Sequence, residues 1–344
     1  MTYGKITEPV QVIVGSGLAN LFCTDEYLQV VQDVEKLTFE KWGVRLNHIH
    51  VLLDESLSEN QYKILINGNV FGNAELMPER VMIYNYDTKL IAFLDEQKID
   101  YINGCEPAFE TEGIFIKKED SEKVRIIAPR VIKASEILQV HIRAVIEKNL
   151  KDLISTQVVK EMIDDLKKSD PVLVKEIKTK YEMSYIRKML QCLLYENITI
   201  KNLRIILEKM ADLYKLQDEF LYLKSRVCCA ISYDICEPFI VAGKIKAVTL
   251  SQKTSEFILD TIYAHDGDVY PDVCCSPSER NHLDMEISEK VLKNNAVLLV
   301  ASAVYNCLIK HLKTISSSFP IVTEDMLWEG TYNNHFSVEL LSEI

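Results

Sequence analysis

Across residues 135–230 apolar side chains recur at helical spacing with hardly a break, and no other property of the chain restricts its fold as much. The pattern runs through Ile137, Val140, Ala144 and Val145, through Val158, Met162, Ile163 and Leu166, through Ile186, Met189, Leu190, Leu193 and Leu194, and through Leu203, Ile206, Leu207 and Met210. Positions three and four apart lie one above another on a helix, so each group marks one stripe and one buried face. Ser135 reads as an N-cap with Glu136 in the first turn, while Pro171, Ser184 and Asn197 divide the tract into helices of ordinary length. A helical subdomain is predicted.

The texture differs on both sides of this tract. Val10–Val14 reads as a strand, Thr24 caps an amphipathic helix over Asp25–Trp42, and Gly43 stands where a left-handed terminator belongs. A strand over residues 48–53 follows, then residues 62–66, Asn67-Gly68 and Val70-Phe71, and Asn-Gly between apolar runs is a strong hairpin signal. Pro78 closes this unit. Residues 81–86, a helix or strand over 90–94, and 114–116 form a small inserted α/β unit, from which 125–127 and Ile132 lead back to Ser135. Beyond Glu237-Pro238, strands at 244–250, 296–300 and 319–322 alternate with helices at 251–263, 284–292 and 302–314 around an acidic loop at 265–272. At 344 residues the chain exceeds the roughly 250–300 at which a single core stops growing, so several subdomains are expected. The predicted class is α/β plus all-α, with small α/β units flanking the helical subdomain.

Charge and cysteine usage narrow the function. A net charge of -12 argues against a nucleic-acid partner or an anionic lipid surface, and the pairs Lys117-Lys118 and Lys167-Lys168 sit beside acids on solvated faces. The 9 cysteines include no C-x-x-C pair, which argues against a zinc ribbon or a thioredoxin-type site and fits a reducing compartment such as the cytoplasm. The apolar run over 296–309 holds Ser302 and Asn306 and is too short to span a bilayer.

Catalytic signatures are poor. Gly15-Ser16-Gly17 follows a strand but lacks the third glycine and downstream acid of a dinucleotide site, and reads as a turn. His48 and His50, two apart on the expected strand, share a face without a third metal ligand. Asp266, Asp268 and Asp272 resemble a calcium loop only loosely. No cofactor or metal is implied, and the chain is not expected to be an enzyme; the alternative is an enzyme with a site near Asp266, Asp268 and His282. The best functional candidate is the turn Glu106-Pro107-Ala108-Phe109. Proline stiffens it, and an acid beside an aromatic ring suits a partner that needs an apolar anchor with a polar rim; the bland reading is a loop with one core phenylalanine.

The pieces also come in a recognisable order: 12–18, the hairpin from Tyr62 closing with Glu75-Leu76-Met77-Pro78, the Glu106-Pro107-Ala108-Phe109 turn with Gly113-Ile114-Phe115-Ile116, the helix start Ala134-Ser135-Glu136-Ile137, and the tract 186–208. This order resembles the cytoplasmic domain of the type III secretion export gate, the family of flagellar FlhA and its injectisome counterparts of the SctV type. The likeness is good over 8–230 and holds by pattern beyond. It implies a linker remnant at 1–7 and four subdomains, at 8–78 plus 134–153, 79–133, 154–230 and 231–344, following a membrane-embedded N-terminal half that alone would touch the membrane. It implies a homononameric ring at the cytoplasmic face of the bacterial inner membrane. Such a ring docks chaperone–substrate complexes and gatekeeper proteins, meets the stalk protein of the export ATPase, and passes unfolded substrates to the export channel. In flagellar relatives the docking cleft uses an acid and a phenylalanine of a D-P-A-F turn and a small polar residue just before a helix histidine. These match Glu106, Phe109 and Val140, with Pro107 and His141 alongside. Glutamate keeps the charge, whereas Val140 stands where a hydroxyl is usual, so the cleft is more apolar and the resemblance leans toward a virulence injectisome.

Overall fold

The computed structural model describes residues 8–344 apart from 47, 129, 265–268 and 333–335. The chain divides into two compact units, Met1–Ile154 and Ser155–Ile344.

The first unit begins with β1 (Val10–Val14), whose Val10, Val12 and Val14 alternate into the core, and α1 (Asp25–Trp42), which buries Tyr27, Val30, Val34 and Trp42. Gly43 ends α1 at φ 74°, a conformation that costs glycine little. Thr24 occupies the N-cap, but its hydroxyl donates back to the Leu21 carbonyl at 2.6 Å instead of capping α1. β2 (His50–Leu53), β3 (Gln61–Ile66) and β4 (Asn69–Glu75) complete a sheet of order β2-β1-β3-β4, with β2 parallel to β1 and the rest antiparallel. The β3–β4 turn has Asn67 at φ 49° and Gly68 at φ 81°, as the Asn-Gly signal predicts. His48, at φ 64°, lies outside β2 and near Glu35, whereas His50 approaches Glu8. The expected shared face of the two histidines is therefore absent.

The inserted part runs through β5 (Arg80–Tyr84), α2 (Thr88–Glu96), β6 (Tyr101–Cys105), β7 (Glu112–Lys117) and β8 (Ile132–Lys133) in the antiparallel order β6-β7-β5-β8. Asp87 accepts from the Lys89 and Leu90 amides at 3.0 Å, which makes 90–94 a helix. Val81, Ile83, Ile114 and Ile116 pack with Leu90 and Leu94 on one face, and Met82 and Phe115 meet Ile137 on the other. Ile137 lies on α3 (Ala134–Lys148). Here the cap expectation fails: Lys133 holds the N-cap position, two residues before Ser135, and the Ser135 hydroxyl donates to Glu26 at 2.6 Å, tying α3 to α1. Lys41 and Glu147, 3.1 Å apart, tie the same helices at their other ends.

The second unit opens with five helices, α4 (Thr156–Leu166), α5 (Pro171–Lys180), α6 (Met183–Tyr195), α7 (Leu203–Asp212) and α8 (Phe220–Ala230). Asp170 caps α5 through the Leu173 amide with Pro171 at its first position, and Asn197 breaks the chain at φ 59°, but Ser184 lies within α6 and breaks nothing. A parallel sheet follows, built from β9 (Lys244–Thr249), α9 (Gln252–Asp260), the short ribbon β10 (Ile262–Tyr263) and β11 (Asp272–Val273), α10 (Pro277–Ile287), β12 (Val297–Val300), α11 (Ser302–Ile315), β13 (Ile321–Thr323), α12 (Glu324–Tyr332) and β14 (Ser337–Glu343). Its order is β13-β12-β9-β14 with every pairing parallel. α10 begins seven residues before its predicted start, at a Ser276–Glu279 capping box, and continues as a π-helical turn over Ser288–Leu292. No helix among the described residues is long and apolar enough to cross a membrane.

Candidate functional site

The turn between β6 and β7 is built to project one ring. The Glu106 amide donates to the Thr111 carbonyl at 3.0 Å, closing the loop, and Glu110 sits in the left-handed region at φ 55°. Both Glu106 carboxylate oxygens are engaged inside the turn: Oε2 accepts from the Ala108 amide at 2.8 Å and Oε1 from the Phe109 amide at 2.7 Å. Pro107 fixes the intervening φ. Ala108 is turned inward at 8% exposure and Phe109 outward at 66%. The reading of Phe109 as a core residue is excluded by that exposure.

The other candidate residues lie midway along α3. Val140 is half-buried, while His141 is 5% exposed and forms part of the floor, so it offers no surface to a partner. Its Nδ1 shares a 2.7 Å hydrogen bond with the Tyr62 hydroxyl, and the two rings meet edge to face with centroids 5.6 Å apart. Gly72 of β4 roofs the histidine: a Cβ there would stand 3.0 Å from His141 Nε2 and 3.1 Å from Val145 Cγ2. A side chain there would require these neighbours to give by a few tenths of an ångström, which glycine avoids.

Electrostatics tie the turn to this floor. Burial holds the His141 ring below its ordinary pKa, with the Glu106 carboxylate opposing and Lys148 reinforcing the shift. Burial, then the charge of Glu106, pushes the Tyr62 hydroxyl up. The charge of Glu106 thus contributes at both buried rings. Because folded His141 binds its proton less readily than the unfolded chain, its contribution to stability is complete above about pH 6.5 and is lost as pH falls through the folded value. The denaturation midpoint should therefore drop between pH 7 and pH 5, and His141→Gln should flatten part of that drop. Equal slopes for the two proteins would assign the pH dependence elsewhere.

The residues named for the alternative site are only partly within the described structure. Asp266 and Asp268 lie outside the described residues, His282 is exposed on α10, and Asp272 pairs with Lys310 at 2.7 Å. Among the described residues no group of three or more His, Cys, Asp or Glu side chains could hold a metal ion. Sequence reasoning missed the Tyr62–His141 pair, whose partners lie 79 positions apart; the only signal was a histidine interrupting the apolar stripe of α3.

This arrangement of elements recurs in solved structures of type III secretion proteins. The nonameric SctV-C of EPEC superposes with a TM-score of 0.73 at 15% identity over 100% of both chains. The Chlamydia pneumoniae CdsV and CdsO protein complex gives 0.76 at 19% identity over 99% of both. The fold is that of the cytoplasmic domain of a type III export gate. The model of the FHIPEP family matches residues 3–328, and the chain belongs to that family. The flagellar biosynthesis protein FlhA of Helicobacter pylori is 27% identical over 247 residues, which is 71% of this chain, and the chain spans 33% of that relative's length.

Proposed function

We infer that this chain is the ring-forming cytoplasmic part of an export gate, at the cytoplasmic face of a bacterial inner membrane, and that it works by binding and catalyses no reaction. Chaperone–substrate complexes and gatekeeper proteins dock on the ledge of Glu106, Pro107 and Phe109 beside Val140, over the floor that contains His141, and unfolded substrates pass from there to the membrane channel. The observation that carries this is Phe109, a large ring held 66% exposed at the tip of a closed, internally bonded turn. Exposure alone is common for single apolar side chains, but a ring presented on a turn fixed by its own hydrogen bonds is pre-ordered as the kind of aromatic anchor on which interfaces depend. The apolar Val140 beside it favours an injectisome over a flagellum.

The likeness to a nonameric SctV-C supports assembly into a closed ring, and the likeness to CdsV in its complex with CdsO supports contact with a further protein, a role we give to the stalk protein of the export ATPase. Four subdomains with the boundaries given above, and ring contacts through residues 154–230, complete the proposal. Each heterologous contact in a closed ring can be weak, because closure adds them together. Native mass spectrometry of the purified chain at rising concentration should show one large species beyond the monomer. A strict two-fold dimer with nothing larger would refute the ring. For docking, chaperones and cargo should co-purify with the chain from its own bacterium and be lost with Phe109→Ala; a thermal shift produced by a nucleotide or a divalent metal would favour the enzyme alternative.

A further inference from the structure

We propose that Glu106 is a positioning residue: its carboxylate holds the turn that presents Phe109, and it acts on docking through that ring and not through a charge contact with the partner. The proposal rests on the docking reading of the turn. Each carboxylate oxygen can accept two hydrogen bonds, and a charge that served only a partner would spend neither on its own loop. Here each oxygen already accepts a backbone N–H of the same turn, at 2.8 Å from Ala108 and 2.7 Å from Phe109. The two amides belong to the residue turned inward and the residue turned outward, so one carboxylate sets both directions at once. Charge-assisted bonds of this kind are roughly twice as strong as neutral ones, and they replace water as the partner of two amides in a loop that no strand pairs.

The other constraints on the turn point the same way. The Glu106 amide is itself bonded to the Thr111 carbonyl, Pro107 fixes one dihedral, and Glu110 accepts a left-handed conformation that a side chain normally avoids. Ala108, packed inward, anchors the loop to the body of the unit. The chemistry expected of the partner follows: an apolar socket that takes an aromatic ring, in place of a basic patch that pairs with an acid. Such a partner should bind with little dependence on salt at this position, because no exposed ion pair forms there.

Amide exchange and secretion test the idea separately. In the purified chain, Glu106→Ala should speed hydrogen exchange at the Ala108 and Phe109 amides by about tenfold or more, the scale expected when a charged acceptor is lost. Glu106→Gln, which keeps one acceptor oxygen, should release one of the two. Unchanged exchange at both amides in Glu106→Ala would overturn the proposal. In the bacterium that carries this chain, the same changes are placed in the full-length protein and the protein released into the medium is measured. Glu106→Ala should fall as far as Phe109→Ala, the double substitution no further, and Glu106→Gln should keep most of the release. If Glu106→Gln fell as far as Glu106→Ala, and the double variant fell below either single one, Glu106 would be a charge read by the partner and the positioning role would be rejected. Normal release from Phe109→Ala, with exchange still accelerated in Glu106→Ala, would refute the docking role of the turn while leaving Glu106 as the group that holds it.

Discussion

Lys224→Met should destabilise the second unit by about 3–5 kcal/mol, among the largest effects of any single substitution in this chain. The Lys224 side chain is 1% exposed and that of Glu196 0%, and the two form an ion pair. Three further groups close the site: Tyr270 and Tyr305 each donate a hydroxyl to Glu196, and Lys224 donates to Asn306 Oδ1 at 2.8 Å. The ammonium also lies 5.1 Å from the centre of the Tyr270 ring and 5.2 Å from that of Tyr305. Glu196 follows α6 and Lys224 lies in α8, whereas Tyr270 precedes β11 and Tyr305 and Asn306 belong to α11, so the cluster joins the helices of this unit to its parallel sheet layer. Removing the lysine leaves a carboxylate in an apolar interior with only two hydroxyls, and that stranded charge is the main cost. Lys224→Met combined with Glu196→Met removes both charges and should recover most of the loss. Guanidinium denaturation of the four proteins in this cycle is the check. A Lys224→Met protein within about 1 kcal/mol of wild type would mean that the pair is not closed to water as described.

That cluster also shows where reading the sequence reaches its limit. The stripes of α4, α6 and α7 were legible because helical packing repeats its demand every three to four residues, and a local window sees several repeats. Lys224 and Glu196 lie 28 positions apart and each looks like a surface charge locally; only the fold brings them together. Ser135 makes the same point at smaller scale. Its type and place are those of a cap, yet the hydroxyl finds Glu26, 109 positions away. β14 was missed because its pattern offers no alternation: Leu340 and Leu341 are adjacent, acids flank them, and a register shift falls between Leu340 and Ser342. The first turns of α10 carry Pro277, Ser278, Glu279, Arg280 and Asn281 and bury nothing before Leu283, so no periodicity announced them; the capping box was the only signal present. At the candidate site the turn was legible as a stiff acid–aromatic ledge. What stayed hidden was the reach of Glu106 back onto its own backbone, because spacing alone does not say whether a side chain serves its own loop or a partner.

Phe109→Ala should weaken docking of chaperone–substrate complexes about thirtyfold, an effect of ~2 kcal/mol that is usual for an aromatic anchor at the centre of an interface. The same change in a packed core would cost about 3–5 kcal/mol of stability. The structure separates the two outcomes in advance. A ring with two-thirds of its surface in water has little burial to lose on truncation, and the turn beneath it is held by Glu106, Thr111 and Pro107, none of which is altered. The denaturation midpoint should therefore stay within about 0.5 kcal/mol of wild type, the range of ordinary surface changes, while binding and secretion collapse. Val140→Asp should act in the same direction, since a carboxylate there places a charge on the apolar surface the partner must bury. Because Val140 is half-buried on α3, its replacement should also cost some stability, which Phe109→Ala should not. A titration of the purified chain with a chaperone–substrate complex from the same bacterium, run beside chemical denaturation, reads both quantities. A fall in midpoint that tracks the loss of binding in Phe109→Ala would mean the ring supports the fold, and the docking ledge would have to be sought on another surface.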